Sequence, residues 1–288
     1  MSDARARLER LRAVLRRHPR AVVAFSGGVD STLLLRVCRD VLGPENVVAA
    51  TGVSPTYTPE ELRAARRAAR ALGVEHVLLE TGELDRPEFS ANPPDRCYHC
   101  KRELLGRIAG LARARGIGAV YEATNADDLT DDRPGLRAVA EADVASPLVL
   151  AGLAKRDVRA LARRLGLDVW DKPASPCLAT RIPYGTPVVR AALERIRAGE
   201  AYLRRLGFPV VRLRHHGDLA RLEVPAADSA RLLEPATARK VAARLRSLGY
   251  HWTAVDVEGY RSGSLALALP RAARPPRPRR APGPKKGR

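Results

Sequence analysis

Aromatic side chains are scarce in this chain: Phe, Trp and Tyr make up 4% of 288 residues, although 45% are hydrophobic. Its core must therefore be built mainly from Leu, Val and Ala. A membrane-length apolar run is missing near the start. The stretch 21–25 is far too short to span a bilayer and follows polar, basic residues, which argues against a secretory leader and for no membrane role. Cysteines number only four. Without a secretory context they predict a reducing, cytoplasmic setting, with thiols that do chemistry or fill a core. Acids are outnumbered, 32 against 51 Lys and Arg, for a net charge of +19. Much of that excess sits in 271–288, which holds eight basic residues and no acid among Pro, Gly and Ala. Such a basic tail is predicted to be disordered. The remaining charge, roughly +11, is spread along Ala/Arg-rich helices such as 61–70. No aromatic stripe accompanies it, so no specific nucleic acid partner is expected.

Two common nucleotide signatures are also absent, the GxxxxGK(S/T) loop and the GxGxxG turn. What stands in their place is Ala21-Val-Val-Ala-Phe-Ser-Gly-Gly-Val-Asp-Ser31. An apolar run enters Ser-Gly-Gly, and the Leu and Val residues beyond recur at helical spacing. This predicts a buried strand, a tight glycine turn and a helix opening on Asp30 and Ser31. Paired glycines let the backbone approach a ligand, and free amides at a helix start suit phosphate. SGGVDS resembles the signature of the PP-loop ATP pyrophosphatases, which cleave ATP to AMP and pyrophosphate. The resemblance implies that Ser26, Gly27, Gly28 and Ser31 cradle pyrophosphate, and that Asp30 orients the loop or holds Mg²⁺.

Strand and helix patterns then alternate. Strands are expected at 21–25, 46–52, 74–79 and 117–122, with helices at 3–19, 31–41, 60–72, 101–115 and 155–165. This pattern predicts an α/β fold, a parallel sheet with helices on both faces. Ligands on such sheets lie beyond the carboxyl ends of the strands. The polar segments there are Val53-Ser54-Pro55-Thr56 and Ala123-Thr124-Asn125-Ala126-Asp127-Asp128, continued by Asp131 and Asp132. Composition changes near 169–177. Beyond it come a helix (190–206), a hairpin (209–214 and 219–224) turning at Gly217-Asp218, a helix (228–248) and strands at 252–257 and 264–269. The expected organisation is a PP-loop domain 1–172, an active-site linker 173–187, a small α+β C-terminal domain 188–270 and the tail 271–288.

Cys38 lies four residues after Leu34 on a helix and reads as core. Cys97 and Cys100 form Cys-Tyr-His-Cys at a helix start, a setting that lowers thiol pKa values and suits zinc, a cluster or dithiol chemistry. Cys177 sits between prolines in Ser175-Pro-Cys-Leu-Ala-Thr-Arg-Ile-Pro-Tyr-Gly185, where Arg181 could stabilise a thiolate. Together Cys97, Cys100 and Cys177 suit a [4Fe–4S] cluster with one open iron. Zinc with a fourth ligand such as His99 is less well motivated.

SGGVDS at 26–31, NPPDRCYHCK at 92–101, EATNADD at 122–128, AGLAKRDVRALARRLGL at 151–167 and WDKPASPCLATRIPYG at 170–185 together resemble the ATP-dependent sacrificial sulfur transferases of lactate racemase maturation. The resemblance runs to about residue 265. It implies an adenine nucleotide alpha hydrolase-like fold, with ATP held by the 26–31 loop, Ser54, Thr124, Asp128 and Arg181. It implies adenylation of pyridinium-3,5-biscarboxylic acid mononucleotide, then attack by sulfur to give a thiocarboxylate for the nickel-pincer nucleotide. Single-cysteine members use the position of Cys177, which forms a thioester, loses its sulfur and becomes dehydroalanine. This chain departs from them by carrying Cys97 and Cys100, which favours sulfide on a cluster as donor. By the same resemblance Glu200 and Glu223 are acids of the second domain placed to hold metal, and Arg212 and Arg214 hold the substrate phosphate. A homo-oligomer and handover to a nickel-inserting enzyme are also implied.

Three rival readings exist. A tRNA thiolase of the same superfamily fits the charge, but no RNA-binding domain is recognisable. An ATP-dependent amide synthetase would need no active thiol. A non-catalytic nucleotide-binding partner would bind ATP and release no pyrophosphate.

Overall fold

The computed structural model describes residues 2–130, 134–173, 176–261 and 265. The strand expected at 264–269, apart from Leu265, and the tail at 271–288 lie outside the described residues, as do Asp131 and Asp132.

The chain runs α1 (Ser2–Leu15), β1 (Ala21–Ala24), α2 (Val29–Leu42), β2 (Val47–Val53), α3 (Pro59–Ala71), β3 (Glu75–Glu80), the single turn α4 (Pro87–Ser90), α5 (Arg96–Ala114), β4 (Ala119–Tyr121), α6 (Pro134–Glu141), α7 (Pro147–Leu150) and α8 (Lys155–Arg164). The four strands form one parallel sheet in the order β3-β2-β1-β4. Alternation along β1 decides which layer each side chain fills. Ala21 and Val23 join a core with Leu11 of α1, Leu34 of α2 and Leu161 of α8. Val22 faces the other layer, against Ile108 and Ala112 of α5. Helices thus cover both faces, as the sequence predicts. Cys38 is fully buried in the first layer, where burial pushes its thiol pKa far up.

The second unit holds α9 (Arg190–Arg205), β5 (Arg212–His216), β6 (Leu219–Glu223), α10 (Ala226–Leu233), α11 (Pro235–Ser247) and β7 (Trp252–Val255). β5 and β6 form an antiparallel hairpin turning at Gly217, whose φ of 65° is left-handed, and β7 joins β6 in parallel. The single helix expected at 228–248 is two helices. Glu234 is extended, with ψ of 132°, because the residue before proline avoids helical dihedrals, and Pro235 then starts α11 where its missing N–H is not needed. The segment 173–187 is not a loose connection. Leu178, Ala179 and Ile182 are buried in the second core together with Phe89 from the first half of the chain.

α9 lies close on this sheet because Gly199 has no side chain. A Cβ there would stand 2.4 Å from Leu213 Cδ1 and 3.1 Å from Leu245 Cδ2. Gly199→Ala is therefore expected to destabilise the protein by about 2 kcal/mol through overpacking, read as a lower denaturant midpoint at unchanged slope.

Candidate active site

The phosphate loop follows β1 at the middle of the parallel sheet. Gly27 has φ of 69°, and a Cβ there would lie 2.9 Å from Ala65 Cα, so both its conformation and its contact with α3 require glycine. α3 is fixed at that spot by a capping box in which Thr58 Oγ1 accepts from the Glu61 amide and Glu61 accepts from the Thr58 amide. Ser26 and Ser31 close the loop on itself. Their hydroxyls are 3.1 Å apart, Ser31 Oγ accepts from Ser26 N at 3.3 Å, and Ser26 Oγ accepts from Gly28 N at 3.3 Å. Asp30 forms an ion pair with Lys155 and accepts from Asn125 Nδ2 at 3.1 Å. Both its oxygens thus orient the loop against the 122–128 segment.

A cavity of about 330 Å³ opens where β1, β2 and β4 end, touching Ser26, Asp30, Ser31, Thr124 and Asp128. Its floor is polar. Buried Glu122 accepts from Lys101 Nζ at 2.9 Å, Thr124 N at 2.9 Å and Ser146 Oγ at 2.5 Å. Burial alone would raise the Glu122 pKa, but Lys101 and the hydroxyl donors outweigh it and hold it below the ordinary carboxylate range. Ser54 lies elsewhere. It borders a neighbouring cavity of about 200 Å³ and donates to Glu83.

A third cavity, about 360 Å³, joins the phosphate loop to the thiols. Ser26, Gly28 and Asp30 line it together with Cys177, Lys155, Arg159 and Lys172. Tyr57 borders all three cavities, and burial, followed by the nearby Cys100 and Cys177, pushes its hydroxyl pKa far up.

Cys97 and Cys100 occupy the first turn of α5, as expected, with Cys97 exposed and Cys100 half-buried. Desolvation does most to raise the thiol pKa values of Cys100 and Cys177, and each of the two is raised further by Cys97. Arg96 and Arg181 act on Cys177 in the opposite sense. The three sulfurs therefore share one electrostatic neighbourhood. Thiol sulfur is the donor type that iron–sulfur clusters take. The ligand set is not closed, however: among the described residues no three His, Cys, Asp or Glu side chains are arranged to hold a metal ion. His99 lies 3.6 Å from Asp95 and packs edge-on to Tyr98.

What brings the two cysteine segments together is Asn92, a residue that spacing alone does not single out. It is fully buried with φ of 59°, a conformation asparagine tolerates. Its Nδ2 donates to Pro183 O at 2.7 Å and Thr186 O at 2.9 Å, and its Oδ1 accepts from Arg96 Nη1 at 2.6 Å. Arg181, buried, donates to the carbonyls of Pro176 and Cys177 at 2.7 and 3.1 Å and grips Glu200 through Nε at 2.8 Å. It thus fixes the backbone that carries the thiol.

The two acids expected to hold metal are engaged by arginines. Glu200 is completely buried and accepts from Arg181, Arg204 and Leu213 N. Glu223 is paired with Arg214 at 2.7 Å and Arg221 at 3.3 Å. Arg214 also donates to Thr180 O at 2.8 Å, whereas Arg212 stacks on Tyr260, its pKa lowered by burial and then by Arg181. A guanidinium neutralises a buried carboxylate without a metal.

Replacing Asn92 by Ala would leave three carbonyls and Arg96 short of a partner. It is expected to destabilise the protein by about 3 kcal/mol and to speed alkylation of Cys177, followed by peptide mapping, with Cys97 still reacting first.

The comparisons with known proteins agree with this geometry. The NAD synthase family model matches residues 7–128. The chain is 42% identical over 264 residues to an uncharacterized Synechocystis protein, covering 92% of this chain and 98% of that one. It is 40% identical over 260 residues to the pyridinium-3,5-bisthiocarboxylic acid mononucleotide synthase of Lactiplantibacillus plantarum, covering 90% of this chain and 94% of that one. A tRNA-specific 2-thiouridylase of Azorhizobium caulinodans is 33% identical over 220 residues, covering 63% of this chain and 56% of that one. The length and identity shared with the Lactiplantibacillus protein, on a PP-loop sheet, mean that this chain belongs to the family of that synthase, the ATP-dependent sulfur transferases that release AMP and pyrophosphate.

Proposed function

We propose that the protein adenylates a carboxylate of pyridinium-3,5-biscarboxylic acid mononucleotide and replaces the activated oxygen with sulfur, for nickel-pincer nucleotide synthesis. The observation that carries this reading is the continuous cavity from the Ser26–Ser31 loop to Cys177. An enzyme that must bring a nucleophilic sulfur to a newly adenylated carbon needs those two groups to face one space.

In this reading ATP lies along the loop, with its phosphates on Ser26, Gly27, Gly28 and Ser31 and Thr124 and Asp128 beside it. The substrate carboxylate oxygen bonds to the α-phosphorus, the α–β phosphoanhydride bond breaks, and pyrophosphate leaves with the electron pair. Loop amides and hydroxyls bear the developing negative charge. A sulfur nucleophile then attacks the carbonyl carbon, and the carbon–oxygen bond to AMP breaks. Arg181 holds the Cys177 backbone so that this attack has a fixed direction. Magnesium would be expected to assist the first step by screening phosphate charge. Asp30, bonded to Lys155 and Asn125, serves in loop orientation.

The sulfur source has two forms. Cys97, Cys100 and Cys177 would hold a [4Fe–4S] cluster, which when bound supplies sulfide at its open iron. The presence of Cys97 and Cys100 in addition to Cys177 favours it over sacrifice of Cys177, which needs only one thiol. A small-molecule pyridinium nucleotide partner, a homo-oligomer and handover to a nickel-inserting enzyme follow from the same family reading. A tRNA substrate is less well supported, because the 2-thiouridylase likeness covers 63% of this chain.

Anaerobically purified protein is expected to contain iron and acid-labile sulfide, and to form AMP and thiocarboxylate in equal amounts from ATP and the pyridinium substrate. Intact mass should be unchanged afterwards. Loss of the elements of hydrogen sulfide from Cys177 in step with product would show the sacrificial route instead.

A further inference from the structure

Three cations stand in the cavity between the phosphate loop and Cys177, and they are not equivalent. Lys155 is paired with Asp30. Arg159 directs its two terminal nitrogens at the carbonyls of Trp170 and Lys172, at 2.8 and 3.0 Å. Lys172 is different. Its Nζ donates to the carbonyl of Gly27 at 3.1 Å, and it has no carboxylate at ion-pair distance among the described residues. An ammonium has three donors, so a single neutral carbonyl leaves most of its hydrogen-bonding capacity unused and its charge without a contact partner, although Asp30, Glu61 and Asp128 line the same cavity. A half-buried cation in that state beside a phosphate cradle is poised for an anion. The chain also links it to the thiol, since Lys172 lies on the segment that leads to Cys177 and Arg159 pins that segment in place.

We propose that Lys172 contacts the phosphates of ATP and of departing pyrophosphate, completing the anion site from its place beside Gly27. This rests on the reading that ATP occupies the Ser26–Ser31 loop. A lysine acts here as a point charge, strengthening as negative charge gathers on the leaving group. Lys101 cannot supply that charge while it is paired with Glu122 on the cavity floor. A purely structural lysine would instead serve only to hold Gly27.

The test compares binding of inorganic pyrophosphate and of AMP to the full-length protein by calorimetry, for wild type and Lys172→Gln. Pyrophosphate affinity should fall about 10- to 100-fold in the variant while AMP affinity stays within about twofold, and Lys172→Arg should recover most of the loss. Exposed Lys240 on α11 provides the control, Lys240→Gln, with both affinities unchanged. Equal pyrophosphate affinity in wild type and Lys172→Gln would overturn the proposal. So would a parallel loss for both ligands, which is the mark of a collapsed loop. Should Lys172→Gln unfold early in a thermal melt, Lys172→Met, which keeps the stem, carries the same comparison. Because binding is read without the acceptor, absence of thiocarboxylate from wild type would count against the proposed reaction and leave the lysine result intact.

Discussion

The buried amide of Asn92 is the contact on which the rest of the site depends. The two cysteine segments are far apart in the sequence, and although Cys100 and Cys177 pack against the same core, neither segment has strand pairing to the other. Asn92 reaches the carbonyls of 182–186 with its nitrogen and Arg96 with its oxygen, while its own carbonyl accepts from Gly185 N at 3.0 Å. A buried polar group satisfied on every side fixes one geometry, because each alternative leaves donors or acceptors unpaired. Arg96, placed by that amide, stacks on Tyr184 and offsets part of the rise that burial imposes on the Cys177 thiol pKa. The thiol site is thus built by hydrogen bonds to main chain, with the arginines as intermediaries.

A second network anchors Cys177 from behind. Arg181 joins the carbonyl of Cys177 to Glu200 on α9, and Glu200 accepts from Leu213 N on β5. The second unit therefore carries the reactive segment on its own core, and the parallel sheet carries the phosphate loop. A cavity lined by Ser26, Gly28 and Asp30 as well as Cys177 lies where the two meet. Lys172 holds the Gly27 carbonyl and Arg159 holds the carbonyls of Trp170 and Lys172 on the phosphate flank, and Tyr57 borders the space.

Much of this was legible in the sequence, for identifiable reasons. Strands read well because β1 is buried on both faces and gives an unbroken apolar run, and SGGVDS placed the loop because two glycines in sequence have few other uses. CxxC was correctly set on a first helical turn. The same-face reading of Arg212 and Arg214 followed from strand periodicity, but periodicity says nothing about partners. Across the hairpin Arg214 faces Arg221 while Arg212 faces Glu223, and the Arg214 fork turns diagonally to that acid. Asn92 and Lys172 lie inside the quoted motifs without a role being read for them, and Glu83 and Tyr57 lie outside any motif. Their roles arise from contacts with distant segments, and the only local signal was an asparagine before Pro-Pro, a residue that tolerates left-handed backbone.

In the proposed reaction one cavity hosts two separable steps, adenylation at the loop and sulfur delivery at the thiols. Exchange of labelled pyrophosphate into ATP, measured with the pyridinium substrate in Cys177→Ala, addresses it most directly. The account predicts exchange close to the wild-type rate together with no thiocarboxylate. Thiocarboxylate formed at the wild-type rate by that variant would contradict it.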